Sequence, residues 1–216
     1  MSNIRQYKSG AYYKDDFRGN RSWNGNERNV LLRGEGYDQN GLPIFSDVAM
    51  AMGADDIKDA RGMALGDFDN DGDLDIVVNT NPGDCGKASV PPVLLRNDIG
   101  HLRNSISIDL VGTSTNRDAI GTQVTAHVVD ASGNSQLVLR HVTAGGGYAS
   151  QNTKRLQFGL GDIETIETLT VRWPNGDTQT FSQLSANETY KIQQGVGEIR
   201  SNGELVYTAV PGNAGR

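Results

Sequence analysis

The 3.6-residue period of a packed helix is nearly missing from this chain of 216 residues. Only Ser46–Met52, stopped by Gly53, is long and regular enough to wind, and it is short. Brief alternating or β-branched runs recur instead, each bounded by turn residues. In the first half they are Val30–Arg33, Ile44–Val48, Gly62–Phe68, Leu74–Asn79 and Val93–Arg96. In the second half they are Ile106–Val111, Gln123–Val129, Gln136–Val142, Arg155–Phe158, Thr168–Trp173, Thr178–Phe181 and Tyr190–Gln193. A last pair, Glu198–Arg200 and Glu204–Thr208, flanks Ser201-Asn202-Gly203. Asn175-Gly176, Asn202-Gly203 and Ser132-Gly133-Asn134 supply the positive φ angles of tight hairpins, and Pro174 ends the strand before it. The pattern predicts an all-β protein.

Charge divides the chain unevenly. Overall there are 20 Lys and Arg against 26 Asp and Glu, a net charge of −6, which argues against a general nucleic-acid binder. Residues 1–33 are basic, with Arg5, Lys8, Lys14, Arg18, Arg21, Arg28 and Arg33 against Asp15, Asp16 and Glu27, and residues 34–104 are strongly acidic. Residues 1–29 also carry Tyr7, Tyr12, Tyr13, Phe17 and Trp23, the composition of an arm that docks by its aromatics. The expected organisation is that arm (1–29), an acidic blade-like unit (30–104), a second β domain (105–195) and a C-terminal hairpin and tail (196–216). Cys85 is alone, so no intrachain disulfide forms and a thiolate zinc site is excluded. No apolar run reaches the roughly 20 residues of a membrane-spanning helix, and no signal peptide is visible.

The densest chemistry lies in Gly66-Asp67-Phe68-Asp69-Asn70-Asp71-Gly72-Asp73-Leu74-Asp75, where five aspartates alternate across nine residues. Two carboxylates ~4 Å apart repel by about 4 kcal/mol at an effective dielectric of 20, so such a loop calls for a cation. Ca²⁺ takes six to eight oxygens, and alternating carboxylates on a curled loop offer them, with Gly72 allowing the sharp turn. Asp67, Asp69, Asp71 and Asp75 are the expected side-chain ligands, and Asp73 contributes its carbonyl. The loop opens like an EF-hand, but its twelfth position is Val78 rather than a bidentate Glu, and a strand follows where a helix should. A calcium loop between strands is expected to staple the fold rather than switch it.

Other features carry less. Gly145-Gly146-Gly147 lacks the following Lys-Ser/Thr of a phosphate loop and reads as a turn or bulge. Arg117-Asp118 reads as part of a buried turn in which Asp118 accepts backbone hydrogen bonds and Arg117 pairs locally, with a ligand clamp as the alternative. His101, His127 and His141 are scattered, no Gly-x-Ser-x-Gly elbow exists, and Asn187-Glu188-Thr189 is a glycosylation sequon. Trp23 and Trp173 are expected in a core or an interface.

Gly66–Val78 resembles the FG-GAP/VCBS repeat, a propeller-blade motif with a calcium loop between strands. The stretch from Asn116-Arg117-Asp118-Ala119-Ile120-Gly121, through Gly145-Gly146-Gly147-Tyr148, Ser150-Gln151 and Phe158-Gly159-Leu160-Gly161, to Val171-Arg172-Trp173-Pro174-Asn175-Gly176 resembles the ASPIC/UnbV domain. With Ser22–Asn29 and Val93–Asn97, residues 22–195 are similar to the C-terminal part of bacterial cartilage-acidic-protein-like proteins. The resemblance implies one propeller-blade-like sheet with its calcium loop, followed by a β-sandwich-like domain. It also implies calcium binding and surface interaction with no established reaction. The chain carries one clear copy of the repeat, so its edges need cover from the second domain or from other subunits.

The leading expectation is a non-enzymatic, calcium-stabilised interaction or scaffold subunit. It would engage a protein partner or a second copy through residues 1–29 and the open blade edges. An extracytoplasmic setting suits it, because millimolar calcium saturates even a weak loop. Two alternatives remain: a calcium-dependent glycan-binding module, whose site belongs in a groove beside aromatics, and a hydrolase, for which no acid/base pair stands out.

Overall fold

The structure is a computed structural model that describes residues 28–81, 91–196, 198–201 and 204–208. Most of the basic arm, Cys85, the Asn202-Gly203 turn and the C-terminal tail fall outside the described residues.

The fold is all-β. Among the described residues fourteen strands follow in order: β1 Leu32–Tyr37, β2 Pro43–Asp47, β3 Asp59–Gly66, β4 Asp75–Asn81, β5 Val93–Leu95, β6 Asn104–Val111 and β7 Gln123–Val129. Then come β8 Ser135–His141, β9 Leu156–Gly161, β10 Thr165–Arg172, β11 Thr178–Ser185, β12 Glu188–Gln193, β13 Glu198–Ser201 and β14 Glu204–Thr208. A single 3-10 turn, Gly100–Leu102, is the only helical element among the described residues. The chain divides into two compact units, Met1–Met63 with Val77–Leu95, and Ala64–Ile76 with Arg96–Arg216, so the division runs through β3 and β4.

In the first unit, β1 and β2 form an antiparallel hairpin with an irregularity between Gly34 and Gly36. Asp38 shapes its turn: Oδ1 accepts the Asn40 and Leu42 amides, both at 2.8 Å, which holds the carboxyl below its usual range, chiefly through the Leu42 bond. The expected helix at Ser46–Met52 does not form. β2 runs through Asp47, whose Oδ1 accepts the amides of Leu31 and Ala49, and a single wound turn follows, ended by Gly53 at φ 68°. The Ala49 bond gives the backbone a local alternative to helix, the Leu31 bond ties Asp47 across the hairpin, and Gly53 stops the turn before a second one can form. Fully buried apolar side chains in this unit are few: Ala49, Ala54 and Val78 among the described residues. Val30, Leu32, Leu42, Ile44, Phe45, Met50 and Met52 are exposed.

The second unit is a β-sandwich. One sheet has strand order β11-β10-β7-β8 and the other β14-β13-β12-β6-β9, with β12 and β6 parallel. Alternation does the sorting. Along β7 the even positions Val124, Ala126 and Val128 are buried while their neighbours are half-exposed, as the period of two requires. Val124, Ala126, Leu169, Val171, Phe181 and Leu184 from the first sheet pack with Ile106, Ile108, Leu156, Phe158, Tyr190 and Ile192 from the second. Trp173, expected in a core, is 1% exposed, and its Nε1 donates to Gln179 Oε1 at 2.6 Å.

Loop 112–117 is tied down from a distance. Buried Gln194 accepts through Oε1 from the amides of Thr113, Ser114 and Thr115 and from the Thr115 hydroxyl (2.8 Å), and donates through Nε2 to Asn175 and Asp177. The turn that follows differs from expectation. Asn116, not Asp118, makes the backbone bonds: its Oδ1 accepts Ile120 N–H at 2.7 Å and its Nδ2 donates to Ile120 O at 2.8 Å. Ala119 is the buried residue there, at φ 55°, whereas Arg117 and Asp118 are exposed and Asp118 pairs with Lys154. An amide carries both a donor and an acceptor, so it can mimic a strand neighbour where a carboxylate cannot.

Candidate metal centre and groove

The aspartate loop joins β3 to β4 and lies wholly within the sandwich unit. Asn70 at φ 61° and Gly72 at φ 93° curl it, so successive side chains converge instead of alternating outward. Asp67, Asp69 and Asp71 come together, each offering a carboxylate oxygen within 4.8 Å of the others. Asp67 Oδ2 accepts the Gly72 amide at 3.2 Å, while its Oδ1 is buried without a hydrogen-bond partner.

Asp73 and Asp75 do different work. Asp75, 1% exposed, accepts the Phe68 amide on Oδ2 (2.9 Å) and the Asn97 amide on Oδ1 (2.8 Å), pinning both ends of the loop. Asp73, 6% exposed, accepts the His101 amide on Oδ2 at 3.0 Å, and its Oδ1 is a second buried oxygen with no partner. His101 Nδ1 stands 2.9 Å from Asp71 Oδ2 and 3.2 Å from Asp73 Oδ2, so Asp71, Asp73 and His101 form a second convergent group sharing Asp71 with the first. Nothing local in sequence pointed to His101, which reaches Asp73 across 28 residues. Arg96 is the nearest guanidinium, 4.0 Å from Asp69 but only 2.6 Å from Asp98, whose hydrogen bond raises its pKa.

The residues fit a hard cation. The donor set is carboxylate oxygen throughout the first group, and two buried oxygens lack the hydrogen-bond partners that burial demands. Leaving such an acceptor unmet costs about 1–3 kcal/mol, more when it is charged.

The loop is bolted to the sandwich. Gly72 O accepts from Ser105 Oγ on β6 (3.4 Å) and from Gln157 Nε2 on β9 (3.2 Å). On the other side Leu65 exchanges bonds with segment 152–153, its amide donating to Asn152 Oδ1 (3.0 Å) and its carbonyl accepting Thr153 N–H (2.8 Å). Between these attachments runs a groove of ≈360 Å³ lined by Asp67, Leu74, Asp109, Gln151–Arg155 and Gln157. A second depression of ≈330 Å³, lined by Ala64–Phe68 and 151–153, shares Asp67 with it. Arg155 holds Asp109 in a two-pronged ion pair at 3.0 Å on each arm, and that bond raises the guanidinium pKa.

Carboxylates held below their usual range, namely Glu35 by Arg33, Asp38 by Leu42, Asp56 by the Lys58 amide and Asp130 by Asn134, owe it to neighbours in their own hairpins and turns. His127, half-exposed on β7, bonds Ser135 on β8 at 2.7 Å as a cross-strand polar pair. The Gly145–Gly147 segment is a turn, closed by Ser150 Oγ donating to Gly146 O. No described helix is long and apolar enough to cross a membrane.

No curated protein matches the chain. Residues 112–199, from the loop after β6 into β13, match the family described as ASPIC and UnbV.

Proposed function

We propose that the protein is a non-enzymatic interaction module whose aspartate loop binds Ca²⁺ and thereby stiffens the sandwich. The observation that carries this reading is the pair of buried, partnerless carboxylate oxygens, Asp67 Oδ1 and Asp73 Oδ1, in a loop where Asp67, Asp69 and Asp71 converge. A bound cation gives such oxygens the positive partner that burial otherwise denies them. Asp67, Asp69 and Asp71 are the first-choice ligands, with Asp73 and Asp75 completing the set directly or by holding the loop. The aspartate loop lies outside the matched family span, so its FG-GAP character rests on Gly66–Val78 alone.

The first unit supports the interaction half. A two-stranded hairpin is marginal by itself, and one that exposes Leu32, Ile44 and Phe45 is suited to cover by a protein partner or a second copy. An extracytoplasmic setting follows from the calcium that the loop requires. Calorimetric titration of chelator-treated protein with CaCl₂ tests the core of the reading. Saturable binding that Asp67→Asn weakens is the expected result. No heat in the wild type at millimolar calcium overturns it.

A further inference from the structure

The two depressions beside the loop share Asp67 and segment 151–153, so they adjoin as two parts of a trough within the sandwich unit. Its cations are already committed: Lys154 Nζ lies 2.5 Å from Asp118, and Arg155 is held by both oxygens of Asp109. An anionic ligand therefore finds no free positive charge here and meets Asp67 instead. What the trough does offer is neutral and two-signed. Among the described residues, the exposed Gln151 amide has no partner, Asn152 has Nδ2 to spare because only its Oδ1 is used, and Gln157 keeps Oε1 free while Nε2 holds Gly72 O. Hydroxyl groups, each both donor and acceptor, match alternating amide donors and acceptors better than a carbonyl or a carboxylate does.

At one end stands an aromatic face. Phe68, which lines the second depression, is 52% exposed. The far end of its ring comes close to Gly66, where an added Cβ would meet ring carbons at 3.3 Å, so glycine leaves room for the ring there. A flat apolar ring beside amide donors and acceptors is the complement of a pyranose, whose C–H face is apolar and whose rim is hydroxyl. We infer that this trough is a binding site for a neutral glycan, with Phe68 as its platform and Gln151, Asn152 and Gln157 as its hydroxyl contacts. The inference rests on the calcium reading only in that a filled loop fixes Phe68 and Gly72. The sugar binds beside the cation and is not a ligand to it.

Affinity electrophoresis of the full chain in calcium, through gels containing neutral glucan, xylan or mannan, tests it. Retardation by at least one polymer is expected, with the affinity falling about tenfold in Phe68→Ala and several-fold in Gln151→Ala, on the scale of a central contact residue. Leu137→Ala, an exposed change on β8, serves as the control and keeps wild-type retardation. Thermal unfolding of Phe68→Ala with and without calcium is run alongside. A retained calcium response in that variant separates loss of the sugar platform from loss of the metal site. No retardation of the wild type by any of the three polymers, or equal retardation of Phe68→Ala, overturns the inference, and a calcium response unchanged in either case leaves the metal reading standing.

Discussion

Gln194→Leu gives the sharpest test of how the sandwich is held together. The side chain is 2% exposed and joins two loops that lie far apart in sequence: 113–115 through its carbonyl, and 175–177 through its amide nitrogen. Four donors crowd one oxygen that has two lone pairs, so the accepted set is worth about two good bonds rather than four. At about 1 kcal/mol net for each bond, plus a cost for donors left partly buried, the loss comes to about 2–4 kcal/mol. Leucine has a similar volume and fills the space, so little of that loss is cavity. For a chain of this size the shift in Tm is roughly 4–16 °C. Differential scanning calorimetry at fixed calcium measures it. Gln194→Glu keeps the acceptor, replaces the donor with a charge facing Asp177, and should fall between wild type and Gln194→Leu. A Gln194→Leu midpoint within about 1 °C of wild type would refute the reasoning, because water would then be satisfying the 113–115 amides equally well.

Two further outcomes follow from the same geometry. Gly112→Ala would place a Cβ 2.1 Å from the Asn116 carbonyl, a backbone atom that cannot swing aside, so loop 112–117 must open; chemical denaturation should show a loss of at least about 1–3 kcal/mol. Tyr190 is buried, and burial raises its phenol pKa above the ordinary value of 10.0, while its hydroxyl donates to Ser185 O at 3.1 Å, a bond that only the neutral phenol can make. Its folded pKa lies above its unfolded one, so its contribution is intact below the unfolded pKa and is lost as pH climbs through the folded pKa. Tyr190→Phe should flatten the alkaline limb of a stability-against-pH curve while costing about 0.5–1.5 kcal/mol near neutrality, and an unchanged alkaline slope would assign that limb to other groups.

The sandwich was legible because its strands alternate cleanly. β7 and β14 fall on the expected residues, β6, β8, β10 and β12 differ from them only at their ends, and the run expected at Thr178–Phe181 is the first half of β11. The hairpin of the first unit was harder. β1 reads Leu-Arg-Gly-Glu-Gly-Tyr with every position exposed, so no inward face wrote itself into the sequence, and only Leu32 and Arg33 overlap the expected run. The Ser46–Met52 helix failed because Asp47 accepts the Ala49 amide locally and the Leu31 amide from across the hairpin. The aspartate loop announced its five carboxylates but not their division of labour. Which ones converge depends on the φ angles of Asn70 and Gly72 and on partners such as Asn97 and His101 that lie more than 20 residues away. Gln194 and the Asn116 amide bridge escaped notice for the same reason: a neutral amide becomes a hub only when the fold brings unmet backbone groups to it.

Thermal unfolding in excess Ca²⁺ and in EGTA, for the wild type and for Asp69→Ala/Asp71→Ala, tests the central claim most directly. At 100 times the dissociation constant a cation bound only by the folded state adds about 2.7 kcal/mol, or roughly 5–11 °C for a chain of this length. The account predicts a shift of that order in the wild type, and its disappearance in the double variant. Equal midpoints with and without calcium in the wild type would contradict it, leaving the loop as an acidic hairpin held by its hydrogen bonds.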